Sequence, residues 1–265
     1  MSSKYSRTRN RGERSGGGGG LLLLAVIAVA TVAIGYFGYS YVQGRNARAT
    51  DAETGCLTNA PTPQAVLFMV DATDRLSREN AARIQSRIVD AVQALPRYSR
   101  VTIVPFGGDT AAPLTPIFNK CLPGNAATAN LDEGGQLLEE QYQAFRQALD
   151  RMVANLVQLP DSRTSPITEQ VIRAASDPQL HWQAGARTLV LVTDGLESSI
   201  YWTRNLRLPE PPDGLLQDVS AEYFEIGNPR GSRLQTHSMR LEWKSWFERA
   251  GAQIRVTAPG FAASP

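Results

Sequence analysis

Cysteine and histidine are both scarce in this sequence, with two of each in 265 residues. The two cysteines and the isolated His181 and His237 offer no zinc-ligand spacing. Neither histidine stands in a motif that would activate a serine or cysteine nucleophile. No G-x-G-x-x-G run follows a strand-like stretch, so the dinucleotide fingerprint is missing. Internal repeats are missing too. Charge is wholly absent from Leu21 to Val42 and unevenly placed elsewhere. Lys4, Arg7, Arg9, Arg11 and Arg14 against Glu13 exceed the +2 of the whole chain, which leaves residues 43–265 net acidic. A basic tail beside an acidic body is not the profile of a nucleic-acid binder. An apolar content of 42% is enough for a real core.

Residues 1–20 are polar, Arg-rich and Gly-rich, with almost nothing to bury, and read as a disordered cytoplasmic tail. Leu21–Val42, "LLLLAVIAVATVAIGYFGYSYV", spans about 33 Å as a helix, sufficient for a hydrocarbon core of about 30 Å. Tyr36, Phe37, Tyr39 and Tyr41 crowd one end, where aromatic rings prefer the membrane interface. Basic residues before the segment outnumber Arg45 and Arg48 after it. The expectation is a single-pass inner-membrane helix with its N-terminus cytoplasmic and its C-terminal domain outside. The rival is a cleaved signal peptide, with Ala47-x-Ala49 as the cleavage pattern. Residues 43–63 read as a stalk. Outside the cytoplasm, Cys56 and Cys121 are candidates for one disulfide, contributing about 4 kcal/mol in the loop-entropy model.

From Ala65 the pattern alternates between apolar runs and amphipathic stretches. "AVLFMV" is a buried strand, followed by Ser77 as a helix cap and by Ile84, Ile88, Val92 and Leu95 at helical spacing. "RVTIVPFGG" is a second strand, and Asp109 to Gly134 reads as irregular. Leu138, Tyr142, Phe145, Leu149, Met152, Leu156 and Leu159 form a core stripe on a long helix. "SPITEQVIRAAS" opens a short helix at Pro166. "RTLVLVT" is apolar on both faces, as a central parallel strand is. "EYFEIGN" and "AQIRVTAPG" are weaker strands around a helix patterned by Met239, Trp243, Trp246 and Ala250. This order predicts an α/β fold, a doubly wound, mostly parallel sheet with helices on both faces, over residues 64–260.

In such a sheet the functional crevice lies at the strand C-termini, where Asp71 and Asp194 each end an apolar run. An aspartyl nucleophile for phosphoryl transfer would want a second acid two residues on, but that position is Thr73. A hard-cation site of carboxylate and hydroxyl oxygens fits better. "VDATD", "SPITEQVI" and "LVTDG" stand in the order and spacing that resembles a von Willebrand factor A-like domain. That family ends its first strand in Asp-x-Ser-x-Ser, supplies a threonine from a later loop and ends a central strand in Thr-Asp-Gly. Together these form a metal-ion-dependent adhesion site.

The resemblance covers roughly residues 65–258 and is similar, more narrowly, to a group of membrane-anchored bacterial proteins. It implies a protein-binding module with Asp71, Thr73, Ser165 and Asp194 as metal-site residues. The expected cation is Mg²⁺, which wants about six oxygens and keeps several waters, leaving a position for an acidic side chain of a protein partner. Arg75 replaces the family's second serine. Either its guanidinium pairs with the acids in place of the metal, or it turns outward while Asp74 or Ser77 assists. In a third arrangement Asp71, Thr73 and Asp74 only cap the next helix. The alternatives to a binding module are a Mg²⁺-dependent hydrolase using Asp71 and a structural envelope subunit with a metal-free relic site.

Overall fold

The computed structural model describes residues 18–47, 49–73, 76–129, 134–156, 164–180, 182–198, 207–228 and 233–259. Asp74, Arg75, His181 and most of the basic tail lie outside the described residues. The chain divides into two compact units, Met1–Arg48 and Ala49–Pro265.

In the first unit, α1 runs from Gly18 to Ala47. Val26, Val29, Val32, Tyr36, Phe37 and Val42 are all exposed on it. Thr31 and Ser40 donate their hydroxyls to the carbonyls of Ile27 and Tyr36, which hides polar atoms along an apolar helix. Side chains of α1 are described from Val26 to Ser40 and at Val42. Among the described residues, no helix is long and apolar enough to cross a membrane.

The second unit is built on a six-stranded sheet. Its strands are β1 (Gln64–Asp71), β2 (Arg100–Phe106), β3 (Phe118–Cys121), β4 (Ala186–Thr193), β5 (Val219–Glu225) and β6 (Gln253–Thr257). The order across the sheet is β3-β2-β1-β4-β5-β6. All neighbours are parallel except β3, which runs antiparallel to β2. Successive side chains of β1 alternate between two cores, as the twofold repeat of a strand requires. Leu67 and Met69 join Ile167 and Val171 of α4 (Ile167–Ser176) and Trp243 and Phe247 of α5 (His237–Arg249). Val66, Phe68 and Val70 join Ile84 and Ile88 of α2 (Arg78–Gln93) and Phe145 and Leu149 of α3 (Gly135–Asn155). Helices therefore cover both faces, and a continuous apolar run is what a strand needs when neither face meets water.

Local signals explain the element ends. Ser77 Oγ accepts the Asn80 N–H at the start of α2, and Thr236 Oγ1 accepts the Met239 N–H at the start of α5. Gly251, just past α5, has φ +95°, a left-handed backbone that a side chain would strain.

One feature departs from the sequence expectations, and the expected disulfide is present. The stretch expected to be irregular contains β3, whose residues FNKC are too few and too polar to show a period. Part of the segment expected to be a stalk is bonded to that strand. Cys56 and Cys121 form a disulfide that closes a separation of 65 residues. Cys121 N–H donates to Thr54 O at 2.8 Å, and Lys120 Nζ donates to Glu53 O at 2.7 Å. This small clasp covers one end of an edge strand that would otherwise present unpaired backbone groups.

Candidate functional site

Asp71 closes β1 and Thr193 closes β4. The register sets them side by side, because Val70 pairs with Val192. The boundary between β1 and β4 is where the strand order reverses, and crevices open there in doubly wound sheets. Parallel pairing thus brings together two residues 122 apart in sequence.

Three hydroxyls from three chain segments converge on the Asp71 carboxylate. Thr73 donates its hydroxyl to Oδ1 at 2.6 Å and its backbone N–H to the same oxygen at 3.0 Å. Ser165, just before α4, donates to Oδ2 at 2.9 Å, and Thr193 donates to Oδ2 at 2.7 Å. An ionised carboxylate offers about four lone-pair positions, and these four donors fill them. Asp71 is 4% exposed. Burial pushes its carboxyl above the usual range, and the bonds from Thr73, Thr193 and Ser165 oppose that push. Among the described residues no cationic side chain pairs with Asp71.

The adjoining turn is equally fixed. Gly195 N–H donates to Thr193 Oγ1 at 3.0 Å, so that hydroxyl accepts one bond while giving another. Gly195 has φ +77°, and a Cβ there would lie 2.0 Å from Tyr223 Oη. Only glycine fits after Asp194. Asp194 Oδ1 accepts the Leu196 N–H at 2.9 Å, and its Oδ2 accepts the Asn228 side-chain amide. Glu197, 3% exposed, accepts the Thr168 N–H at 2.8 Å and so satisfies a backbone donor in the first turn of α4. Ser198 N–H donates to Ser165 O at 2.9 Å, lacing the same two loops.

Of the residues expected at the site, Asp71, Thr73 and Ser165 form one bonded cluster. Asp194 stands one residue beyond Thr193 and is held by its own partners. Ser77 caps α2, and its hydroxyl accepts the Asn80 N–H at 3.1 Å. Sequence reasoning passed over four contributors: Thr193, Glu197, Asn228 and Gln235. Thr193 was legible as a hydroxyl at the end of an apolar strand. Glu197, Asn228 and Gln235 carry no local signal.

No group of three or more His, Cys, Asp or Glu residues among the described residues is placed to hold a metal. Any cation here depends on hydroxyl oxygens. The donor set fits one: Thr73 and Ser165 turn their protons toward Asp71, so their lone pairs point elsewhere. Oxygen donors of this type suit a hard cation such as Mg²⁺.

No family model and no curated protein matches the chain. Among solved structures, the PilB minor pilin of Streptococcus sanguinis is 14% identical with a TM-score of 0.39, over 76% of this chain and 58% of that one. A single-site variant of the same pilin gives 11% and 0.42, over 75% of this chain and 58% of that one. BatB from Bacteroides thetaiotaomicron is 13% identical with a TM-score of 0.34, over 64% of this chain and 68% of that one. The chain thus spans 58% of the pilin. Likeness at this level carries no family or functional argument, and what stands is the chain's own mixed α/β sheet and the cluster at its top.

Proposed function

We propose that this protein is a binding module of the von Willebrand A type, held outside the cytoplasm by an N-terminal membrane helix. Its site at the ends of β1 and β4 would hold a divalent cation and meet an acidic side chain of a protein partner. The observation that carries this is the convergence of Thr73, Ser165 and Thr193 on a buried Asp71 that, among the described residues, has no cationic partner. A buried carboxylate without a counter-charge is expensive. A cation held by the hydroxyls that bond to it would supply that charge. When bound, Mg²⁺ would offer an open coordination position to a carboxylate. Asp71 would orient the two hydroxyls and hold their protons, and Asp194 would add the second negative charge.

Binding is favoured over hydrolysis by the same geometry. An aspartyl nucleophile needs a lone pair aimed at its substrate, and all four positions of Asp71 accept hydrogen bonds. The membrane helix is supported by the uncharged run Leu21–Val42 and by apolar side chains on every side of α1, a pattern that does not suit a helix lying on a water-facing surface.

A second reading has an observation of its own. Because Asp71 is saturated, the cluster can also serve as a lock that ties three loops without any metal. Calorimetric titration of the full chain with Mg²⁺ and Mn²⁺ separates the two. Under the cation reading, the wild type gives saturable heat and a raised melting temperature, since a ligand that binds only the folded state stabilises it. Asp71→Asn, or Thr73→Val with Ser165→Ala, should lose both signals. Absence of heat with the wild type would leave the loop lock.

A further inference from the structure

Two side-chain amides, Asn228 shortly after β5 and Gln235 just before α5, grip Asp194 at both of its polar ends. Asn228 Nδ2 donates to the carboxylate Oδ2. Gln235 Nε2 donates to the Asp194 backbone carbonyl at 3.0 Å and to the Ile226 carbonyl at 2.8 Å. Gln235 Oε1 accepts the Asn228 N–H at 3.1 Å. One amide side chain therefore ties the exit of β4 to the exit of β5 and fixes the backbone from which Asn228 reaches the acid. Gln235 is itself anchored next to Thr236, the residue that caps α5.

We infer that Asn228 and Gln235 are positioning residues that set the orientation of Asp194 for cation binding, an inference that rests on the cation reading above. The Leu196 N–H bond fixes one carboxylate oxygen within its own turn. The bond from Asn228 holds the other oxygen, so the two together define the plane of the carboxylate. Gln235 acts at one remove, by holding the Asn228 backbone and the Asp194 carbonyl in register. A carboxylate already held in its working plane loses little freedom when a cation arrives. Outer partners of this kind typically change metal affinity by about 10–100-fold when removed. The bonds of the two amides run to the Asp194 carboxylate, the Asp194 and Ile226 carbonyls and the Asn228 backbone, so their effect would run through Asp194.

The test is Mn²⁺ titration of the full chain by calorimetry, alongside melting of each variant in chelator. The wild type should bind. Asn228→Ala should weaken the dissociation constant by about tenfold or more. Gln235→Met, near in shape but without donors, should weaken it in the same direction and keeps the inference testable if Asn228→Ala does not fold. Arg87→Met serves as the control, because Arg87 bonds to Glu222 in mid-strand, away from the sheet end where the site lies. It should melt lower than the wild type and keep the wild-type constant within about twofold, as stability lost away from the outer partners leaves affinity alone. A wild type that binds Mn²⁺ while Asn228→Ala and Gln235→Met bind equally well would overturn the inference and leave the cation reading intact. Loss of affinity in Arg87→Met as large as in the two amide variants would also overturn it. A wild type that binds no Mn²⁺ would remove the cation reading, and this inference with it.

Discussion

Glu222 in the middle of β5 and Asp71 at the end of β1 are buried to the same depth, 3% and 4% exposed, yet the protein neutralises them differently. Glu222 is surrounded by positive charge. Arg87 Nε donates to both of its oxygens at 3.0 and 2.9 Å, Arg255 Nη2 donates at 2.6 Å, and Thr257 Oγ1 donates at 2.9 Å. Burial alone would raise its carboxyl, but the bonds and charges of Arg87 and Arg255 outweigh that and bring it below the ordinary value. Asp71 receives four hydrogen bonds, all from neutral groups, and burial wins. Hydrogen bonds orient a buried acid; opposite charge is what makes its ionised form comfortable. Among the described residues Asp71 has the first without the second, and that contrast is what the cation proposal rests on.

That contrast can be broken most strongly at Glu222. Arg87→Met leaves the acid with Arg255, whose side chain is 61% exposed. The expected loss is about 2 kcal/mol, below the usual 3–5 for stripping a buried pair because one partner remains. A denaturant midpoint measures it. Arg87→Met combined with Glu222→Gln should recover half or more of the loss, because the stranded charge is gone.

A smaller effect is expected at the other acid. In chelator, Asp71→Asn exchanges hydrogen-bond quality for relief from burying a charge, and the two effects oppose each other. The net change should stay within about 1 kcal/mol. A loss as large as that of Arg87→Met would mean that the hydroxyl cluster alone fully compensates the charge, and the contrast would collapse.

The smallest effect is in the pH dependence, and its sign differs between the two sites. Glu222 sits below its unfolded value of about 4.3, so its contribution is present above that pH and fades as pH falls through the lower folded value. Asp71 sits above its unfolded value of about 3.9, so its contribution is fullest below that pH and fades as pH rises through the folded value. On acidification in chelator, Glu222→Gln should therefore lose less stability than the wild type, and Asp71→Asn should lose more. Melting curves between neutral and acid pH check both, and parallel curves for all three proteins would refute the assignment.

Much of the scaffold was legible because its signals are local. Val66 to Val70 and Leu189 to Val192 are apolar at every position, which only a strand covered on both faces tolerates. Ile84, Ile88 and Val92 recur at helical spacing behind the Ser77 cap. What stayed hidden was short or long-range. β3 has four residues and takes its strand form from pairing with β2 and from the disulfide beside it. "EYFEIGN" reads as a weaker strand, whereas β5 is buried and its Glu222 and Glu225 each meet an arginine from another element. Charged residues inside an apolar run were the available sign of buried ion pairs.

By itself the sequence determined which residues stand at strand ends and which faces are apolar, because strand alternation, helix spacing and caps act over a few residues. It placed Asp71 at a strand end and Thr73, Ser165 and Asp194 beside element ends, which a doubly wound sheet gathers at its strand C-termini. Only the tertiary structure decided which hydroxyl faces which acid. Ser165 lies 94 residues from Asp71 and Thr193 lies 122 from it. Gln235 reaches Asp194 across 41. Such bonds depend on strand register and on how loops are laced, and those follow from packing two cores against one sheet.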